Sequence, residues 1–166
     1  TTVTGPAGWT LVNSVSDATA GVQSHLWTRT ATATDAGTTV RTTNGLIAKT
    51  ALQVAAYSSA SGISAQAVSL DAINRAERTT PLVPVATAGS ALVSYWADKS
   101  TDTTTWTVPA AAALRNLSVG TSSGHITAAL ADTGSLVAGT GGGLTATANS
   151  VNRRGVVWSV VIAPSV

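Results

Sequence analysis

The chain contains no cysteine, methionine or phenylalanine, and only 10% of its 166 residues are Asp, Glu, Lys or Arg. Without cysteine there are no disulfides, no thiolate metal ligands and no cysteine nucleophile. Because titratable side chains are so scarce, most acid–base and metal chemistry has few groups to use. Threonine, alanine, serine, glycine and valine dominate what remains. Small and β-branched residues of this kind favour β-sheet, and they supply few catalytic groups.

The chain also lacks clustered charge and long apolar runs. Its formal net charge is +2, and Arg153 and Arg154 are the only adjacent basic residues. A nucleic-acid surface needs many clustered basic side chains, so we expect no nucleic-acid partner. No stretch approaches the roughly 18 apolar residues of a membrane span, so we expect none. Nothing in the composition calls for a cofactor.

Strand-like runs recur about every ten to fifteen residues and are divided by turn residues. Residues 46–57 alternate, with Leu46, Leu52 and Val54 on one face and Lys49, Gln53 and Tyr57 on the wetter face. This period of two predicts a strand with one buried face, entered through a hairpin at Asn44-Gly45. Residues 91–97 also alternate, with Val93 and Tyr95 facing one way and Leu92 and Trp96 the other. Val156 to Ala163 is the longest bulky run and has the length of one strand.

The middle of the chain is less regular. Residues 72–78 predict one helical turn, and residues 58–84 predict an irregular connection ended by prolines. Without long amphipathic helices, the pattern predicts an all-β fold, an antiparallel two-sheet β-sandwich, jelly-roll-like, with about nine to eleven strands. We expect residues 1–166 to form a single domain.

One short motif is typical of a hydrolase. Residues 120–124 read Gly-Thr-Ser-Ser-Gly and are followed by His125, so a serine hydrolase would use Ser122 and His125. That motif requires a strand before it and a helix after it. Because the residues after His125 predict another strand, we interpret the segment as a hairpin turn.

Candidates for metal binding and cross-linking are weak. Two histidines do not make a three-ligand zinc site, so we expect no metal. Asp98 and Asp102, which flank a polar turn, are a weak calcium candidate. A covalent link between Lys49 or Lys99 and an asparagine such as Asn149 is a further alternative.

The aromatic side chains are five tryptophans and two tyrosines. Tryptophan faces stack on sugars and anchor protein interfaces, but they also fill cores. Trp9 and Trp158 are expected in the core. Trp106, beside a polar turn, is expected to be the most exposed, and we name Trp106, Trp96 and Tyr95 as candidate ligand-binding residues.

Three segments carry a resemblance: Gly5-Pro-Ala-Gly-Trp-Thr-Leu-Val12, Ala55-Ala-Tyr-Ser58, and Val93-Ser-Tyr-Trp-Ala-Asp-Lys99. These segments and the closing run Val-Trp-Ser-Val-Val-Ile-Ala-Pro resemble β-sandwich modules of secreted actinobacterial proteins and of tail or surface proteins of phages that infect those hosts. The resemblance implies a non-catalytic role in display or adhesion and assigns no functional residue.

These features favour a non-catalytic extracellular, cell-surface or virion-surface module with a structural or attachment role. Sheet edges can pair with neighbouring copies, so we expect the chain to belong to an oligomer or larger assembly. The alternative is a carbohydrate-binding module of a secreted protein, with surface glycans as partners. The serine hydrolase remains the least favoured hypothesis.

Overall fold

The computed structural model describes residues 2–19 and 21–165, and this part of the chain is all-β and contains no helix. Its fourteen strands exceed the nine to eleven expected from the sequence, because several are only two or three residues long. The strands are β1 (Val3–Thr4), β2 (Thr10–Asp17), β3 (Val22–Thr28), β4 (Thr43–Asn44), β5 (Ala60–Asp71), β6 (Arg75–Thr79), β7 (Val83–Val85), β8 (Ser90–Ser100), β9 (Trp106–Thr107), β10 (Ala113–Val119), β11 (His125–Leu136), β12 (Gly139–Gly141), β13 (Thr145–Asn152) and β14 (Gly155–Pro164).

Five antiparallel strands form the main sheet, in the order β10-β11-β8-β14-β5. β14 lies between β8 and β5 and is buried on both faces over residues 155–161. A strand covered on both sides needs apolar residues at every position rather than at alternate ones. This explains the run of bulky apolar residues, broken only by Ser159, that the sequence shows over residues 156–163, and it confirms that run as a strand.

The front face of the main sheet is the one that carries Val93, Tyr95 and Trp158. The β2–β3 hairpin packs against it through Val22 and Leu26. The Trp158 indole N–H donates to the Ser24 hydroxyl at 2.9 Å. The hairpin is thereby fixed over the middle of the sheet, and Trp158 is a core residue as predicted.

The back face is the opposite one and carries Trp96, Val157 and Ala129. The three-stranded sheet β6-β13-β9 packs against it, as does the pair β7 and β12, through Val83 and Val85 of β7. The division of β8 into a Val93/Tyr95 side and a Leu92/Trp96 side follows the predicted alternation. Both faces of the main sheet are therefore covered.

The predicted irregular connection over residues 58–84 is wrong, because it contains β5, β6 and β7. A β-bulge where Ile63 pairs with Ile162 and Ala65 pairs with Val161 leaves Ser64 unpaired and reverses the alternation. Ile63 then packs on the front face and Ala65 on the back face, although their spacing of two would place them on one side of a regular strand.

The predicted helical turn over residues 72–78 is also wrong. Arg78 lies in β6, is fully buried, and forms an ion pair with Asp71 at 3.0 Å. Its main-chain oxygen accepts the Trp96 indole N–H at 3.0 Å. A buried charge is tolerated when it is paired and hydrogen-bonded. The arginine therefore ties β6 to the main sheet, which a solvent-exposed helical turn would not do.

Residues 46–57, which we call the strap, are extended but form no ladder with any described strand. Among the described residues, no main-chain group of the strap bonds to another main-chain group. The predicted hairpin at Asn44-Gly45 is wrong, since β4 pairs with β1 instead. The strap instead runs across the front face beside the β2–β3 hairpin, where side chains hold it.

Candidate functional site

A cavity of about 740 Å³ lies on the front face, between β3 and the strap. β3 pairs only with β2, so its second edge is free and borders this space. The floor is the front face of the main sheet, formed by Val93, Tyr95, Leu130 and Trp158 among others. Ligand sites of small molecules have volumes of roughly 300–1,000 Å³. The cavity is therefore large enough for a ligand, and its floor is apolar and aromatic.

Side chains of the strap form one wall and hold it against the sheet. The Gln53 amide donates to the Ala128 main-chain oxygen at 2.9 Å, and the Tyr57 hydroxyl donates to the Asp132 carboxylate at 3.0 Å. Burial, with the Asp132 carboxylate beside it, raises the pKa of Tyr57, so the phenol keeps its proton. The strap is thus attached by side chains at several points rather than by a β-ladder.

The face that the strap turns to the protein is the opposite of the predicted one. Gln53 and Tyr57, expected on the wetter side, are half-buried against the sheet. Leu46 and Val54, expected to be buried, are 69% and 51% exposed. Residues 46–50 are exposed at every position, so the predicted buried face is wrong.

Both lysines of the chain line one end of the cavity. The Lys49 ammonium donates to the Thr121 main-chain oxygen at 3.3 Å, and that of Lys99 donates to the Gly21 oxygen at 3.4 Å. The ion pairs among the described residues all use arginine. This end of the cavity is therefore positive, with each ammonium held by a neutral carbonyl.

Three buried polar atoms on residues that line the cavity have no partner: His25 Nε2, Gln53 Oε1 and Asp98 Oδ1. The His25 ring stacks on Trp27, with ring centroids 5.2 Å apart. Burial lowers the pKa of His25, so its ring is neutral at pH 7. Buried polar groups are usually satisfied, and unsatisfied ones beside a cavity mark positions where a ligand or water would bind.

The Ser122 and His125 pair is not arranged as a nucleophile and its base. Residues 120–124 form the turn between β10 and β11, as predicted, with Ser122 exposed at a φ of 68°. The His125 ring is buried, with Nδ1 2.7 Å from the main-chain oxygen of Ser122 and Nε2 2.8 Å from that of Thr103. Both ring nitrogens are engaged by carbonyl oxygens, so neither faces the Ser122 hydroxyl.

Asp98 and Asp102 do not come together as calcium ligands. Asp98 is buried and its Oδ2 accepts the Thr103 hydroxyl at 2.8 Å, whereas Asp102 is exposed. Within residues 2–19 and 21–165, no group of three His, Asp or Glu side chains could hold a metal ion. Burial raises the pKa of Asp98 to about 6, partly offset by the Thr103 hydrogen bond and the charges of Arg78 and His125.

Of the three aromatic residues named from the sequence, only Tyr95 lines the cavity. Trp96 is 0% exposed and Trp106 is 3% exposed, so the expectation that Trp106 is the most exposed tryptophan is wrong. Its indole N–H donates to the Thr127 main-chain oxygen at 3.2 Å inside the back-face core. Neither indole presents a face on which a sugar could stack.

The Asn149 side chain forms its hydrogen bonds at the turn before β9 and not with a lysine. Its Oδ1 accepts the main-chain N–H groups of Thr104 and Thr105, at 2.9 and 3.1 Å, and its amide donates to the Thr104 hydroxyl. Lys49 and Lys99 contact the loops at the other side of the main sheet. The side chain of Asn149 thus stabilises the turn that precedes β9.

The edge strand β10 is the second exposed apolar feature. It pairs only with β11, and Leu114, Leu117 and Val119 are exposed along it. A bulge at Arg115 limits the regular ladder to residues 116–119. Gln53 of the strap donates to Asn116 at 3.3 Å, so the strap contacts β10 from the front face. Leu114 and Leu117 pair with Ala131 and Ala129 of the back-face core, so these two side chains lie on the back-face side of β10.

Comparison with known proteins adds no relative: no family model, no curated protein and no solved structure matches the chain. The resemblance to actinobacterial and phage surface modules stays a prediction. In the part of the chain that the structure describes, no helix has the length and apolar character needed to cross a membrane.

Sequence reasoning missed most of the residues that line the cavity. His25 was interpreted as an ordinary strand histidine, and Lys49 and Gln53 were placed on a solvated face. The one available signal was that the chain has only two lysines among its 166 residues. Nothing local in the sequence indicates that both would reach one end of the same cavity.

Proposed function

We propose that this chain is a non-catalytic structural or attachment subunit of a surface assembly, extracellular or on a virion, such as a phage tail or capsid decoration or a bacterial surface protein. The proposed architecture is a jelly-roll-like β-sandwich, in which the main sheet and the back-face strands are the two layers. The proposal depends on one observation, the exposed apolar side chains of the strap.

The strap leaves large apolar side chains in water. Leu46 and Val54 are largely exposed and Ile47 is fully exposed, whereas Gln53 and Tyr57 bond to the main sheet. Contiguous exposed apolar surface of this kind marks protein–protein contact sites. A neighbouring subunit that covers the strap would bury the face that the fold leaves in water.

The adjacent β10 edge supports the same conclusion. Leu117 is 37% exposed on a strand with one free edge, and open apolar edges invite pairing with another chain. The opposite edge of the main sheet, β5, carries exposed serines instead: Ser61, Ser64 and Ser69. The two edges therefore differ in character, and the apolar one belongs to the strand that Gln53 of the strap contacts.

The proposal is tested by measuring the mass of the native protein across a concentration series, using light scattering and sedimentation. We expect an oligomer whose dissociation constant rises at least tenfold in Val54→Lys and in Leu117→Lys. Ser69→Lys on the β5 edge is the matched control and should leave the dissociation constant unchanged. A monomer at every concentration, or equal weakening by all three variants, would refute the proposed assembly surface.

A further inference from the structure

The front-face cavity is long as well as large. It follows β8 from Val93 to Lys99, and six residue steps of a strand span roughly 20 Å. We propose that it binds an elongated amphiphile, with an apolar body along the sheet and an anionic head at Lys49 and Lys99. This binding goes beyond the proposed assembly role and does not depend on it, since the cavity lies within one copy of the chain.

The floor determines the character of the ligand's body. Val93, Leu130, Val160 and Trp158 belong to the front-face core cluster and also line the cavity. Burying apolar surface is favourable by about 25 cal/mol per Å². An acyl chain lying on this floor would cover apolar and aromatic side chains along its whole length, which a polar sugar would not do.

The lysine pair determines the sign of the head. Both ammonium groups reach the same end of the cavity, where Lys49 bonds to Thr121 and Lys99 lies beside Gly124 of the same turn. The nearest carboxylate in sequence, Asp98, also borders the cavity, but its Oδ2 accepts the Thr103 hydroxyl at 2.8 Å on the back-face side of β8. Carboxylate or phosphate oxygens of a ligand would form charge-assisted bonds stronger than those to neutral carbonyls.

The walls favour a small molecule over a polypeptide. The strap is held to the main sheet at Lys49, Gln53 and Tyr57, so an inserted strand would have to displace several side-chain bonds. An acyl chain can enter lengthwise with those bonds intact. The partnerless Gln53 Oε1 would then accept a hydrogen bond from a hydroxyl or amide carried by the ligand, or from a bound water.

The test uses three amphiphiles with the same alkyl chain: dodecanoate, dodecanol and dodecyltrimethylammonium, all below their micellar concentrations at pH 8. Binding is measured by calorimetry and by the fluorescence of the tryptophans at the cavity. We expect dodecanoate to bind saturably at one site per chain, at least tenfold more tightly than either other compound. Equal affinities, or absence of saturable dodecanoate binding, would overturn the proposal.

Variants locate the site. Lys49→Gln with Lys99→Gln should reduce the preference for dodecanoate over dodecanol to less than threefold. Arg41→Gln with Arg153→Gln removes the same charge from exposed residues that do not line the cavity, and it should retain the preference. If both double variants lose the preference equally, net charge rather than the lysine pair is responsible and the assigned site is wrong. Light scattering on the same samples reports oligomeric state separately, so loss of assembly and loss of binding are distinguishable.

Discussion

Replacing Asp98 by asparagine should change how stability depends on pH. The Asp98 carboxyl is buried in the back face, where Thr103 donates to Oδ2 and Oδ1 has no partner. Burial raises its pKa from 3.8 to about 6, with Arg78 and His125 acting in the opposite direction. The folded state therefore holds this proton more tightly than the unfolded state does.

The sign follows from proton linkage. Below pH 3.8 the carboxyl is protonated in both states, so it has no linked effect. As pH rises from 3.8 to about 6, the unfolded state ionises first and the free energy of unfolding falls. Above pH 6 the free energy of unfolding has fallen by its full amount, and this carboxyl no longer makes it depend on pH. At about 1.4 kcal/mol per pKa unit, reduced for partial screening, the loss is on the order of 2 kcal/mol.

The assay is urea unfolding of the native chain and of Asp98→Asn, followed by tryptophan fluorescence at pH values from 4 to 8. We expect the free energy of unfolding of Asp98→Asn, relative to the native chain, to rise by about 2 kcal/mol between pH 4 and pH 7. Asp102→Asn changes an exposed acid of the same turn and should give a difference that is flat with pH. A flat difference for Asp98→Asn as well would refute the buried, proton-binding carboxyl.

Two further substitutions test the packing on the back face. Trp96→Ala removes a fully buried indole whose N–H donates to Arg78, and it should lower the free energy of unfolding by about 3–5 kcal/mol, measured by urea titration; a loss below 1 kcal/mol would contradict the burial. Gly155→Ala would place a Cβ 2.2 Å from Cζ of the buried Arg78, so we expect a loss of about 1–3 kcal/mol in thermal and urea unfolding. Gly134→Ala, where a Cβ meets nothing within 4 Å, is its control. Equal losses of unfolding free energy in both variants would show that the Arg78 side chain moves aside for the added methyl group.

The strands that were predicted correctly are those whose pattern is set by the sheet itself. β8 alternates between two different cores, so Val93 and Tyr95 separate from Leu92 and Trp96 as their spacing requires. β14 has apolar residues at consecutive positions, with Ser159 as the polar exception, because both of its faces are covered. In each case the local pattern and the three-dimensional environment carry the same information, and the all-β class follows from them.

The prediction failed where one residue changes the pairing of a strand. In β5 the bulge at Ser64 sends Ile63 to the front face and Ala65 to the back face, so a window of residues shows no consistent period. The burial of Arg78 was not predicted for a different reason. Its burial depends on Asp71 and on the main chain of Asn152, and a pairing across 74 residues leaves no local trace.

The candidate site could not be predicted because it is a space between elements that are distant in sequence. Lys49 of the strap and Lys99 of β8 meet at one end of it, and Trp158 of β14 forms part of its floor. The period of two in the sequence indicates that the strap has an apolar face, but it does not indicate which molecule covers that face. The usual inference assigns the apolar face to the chain's own core, and here Gln53 and Tyr57 occupy the inner side because main-chain and carboxylate acceptors of β11 are available to them. An apolar face that the chain itself leaves uncovered is therefore the strongest argument for a partner, and the oligomer measured with Val54→Lys is where that argument can fail.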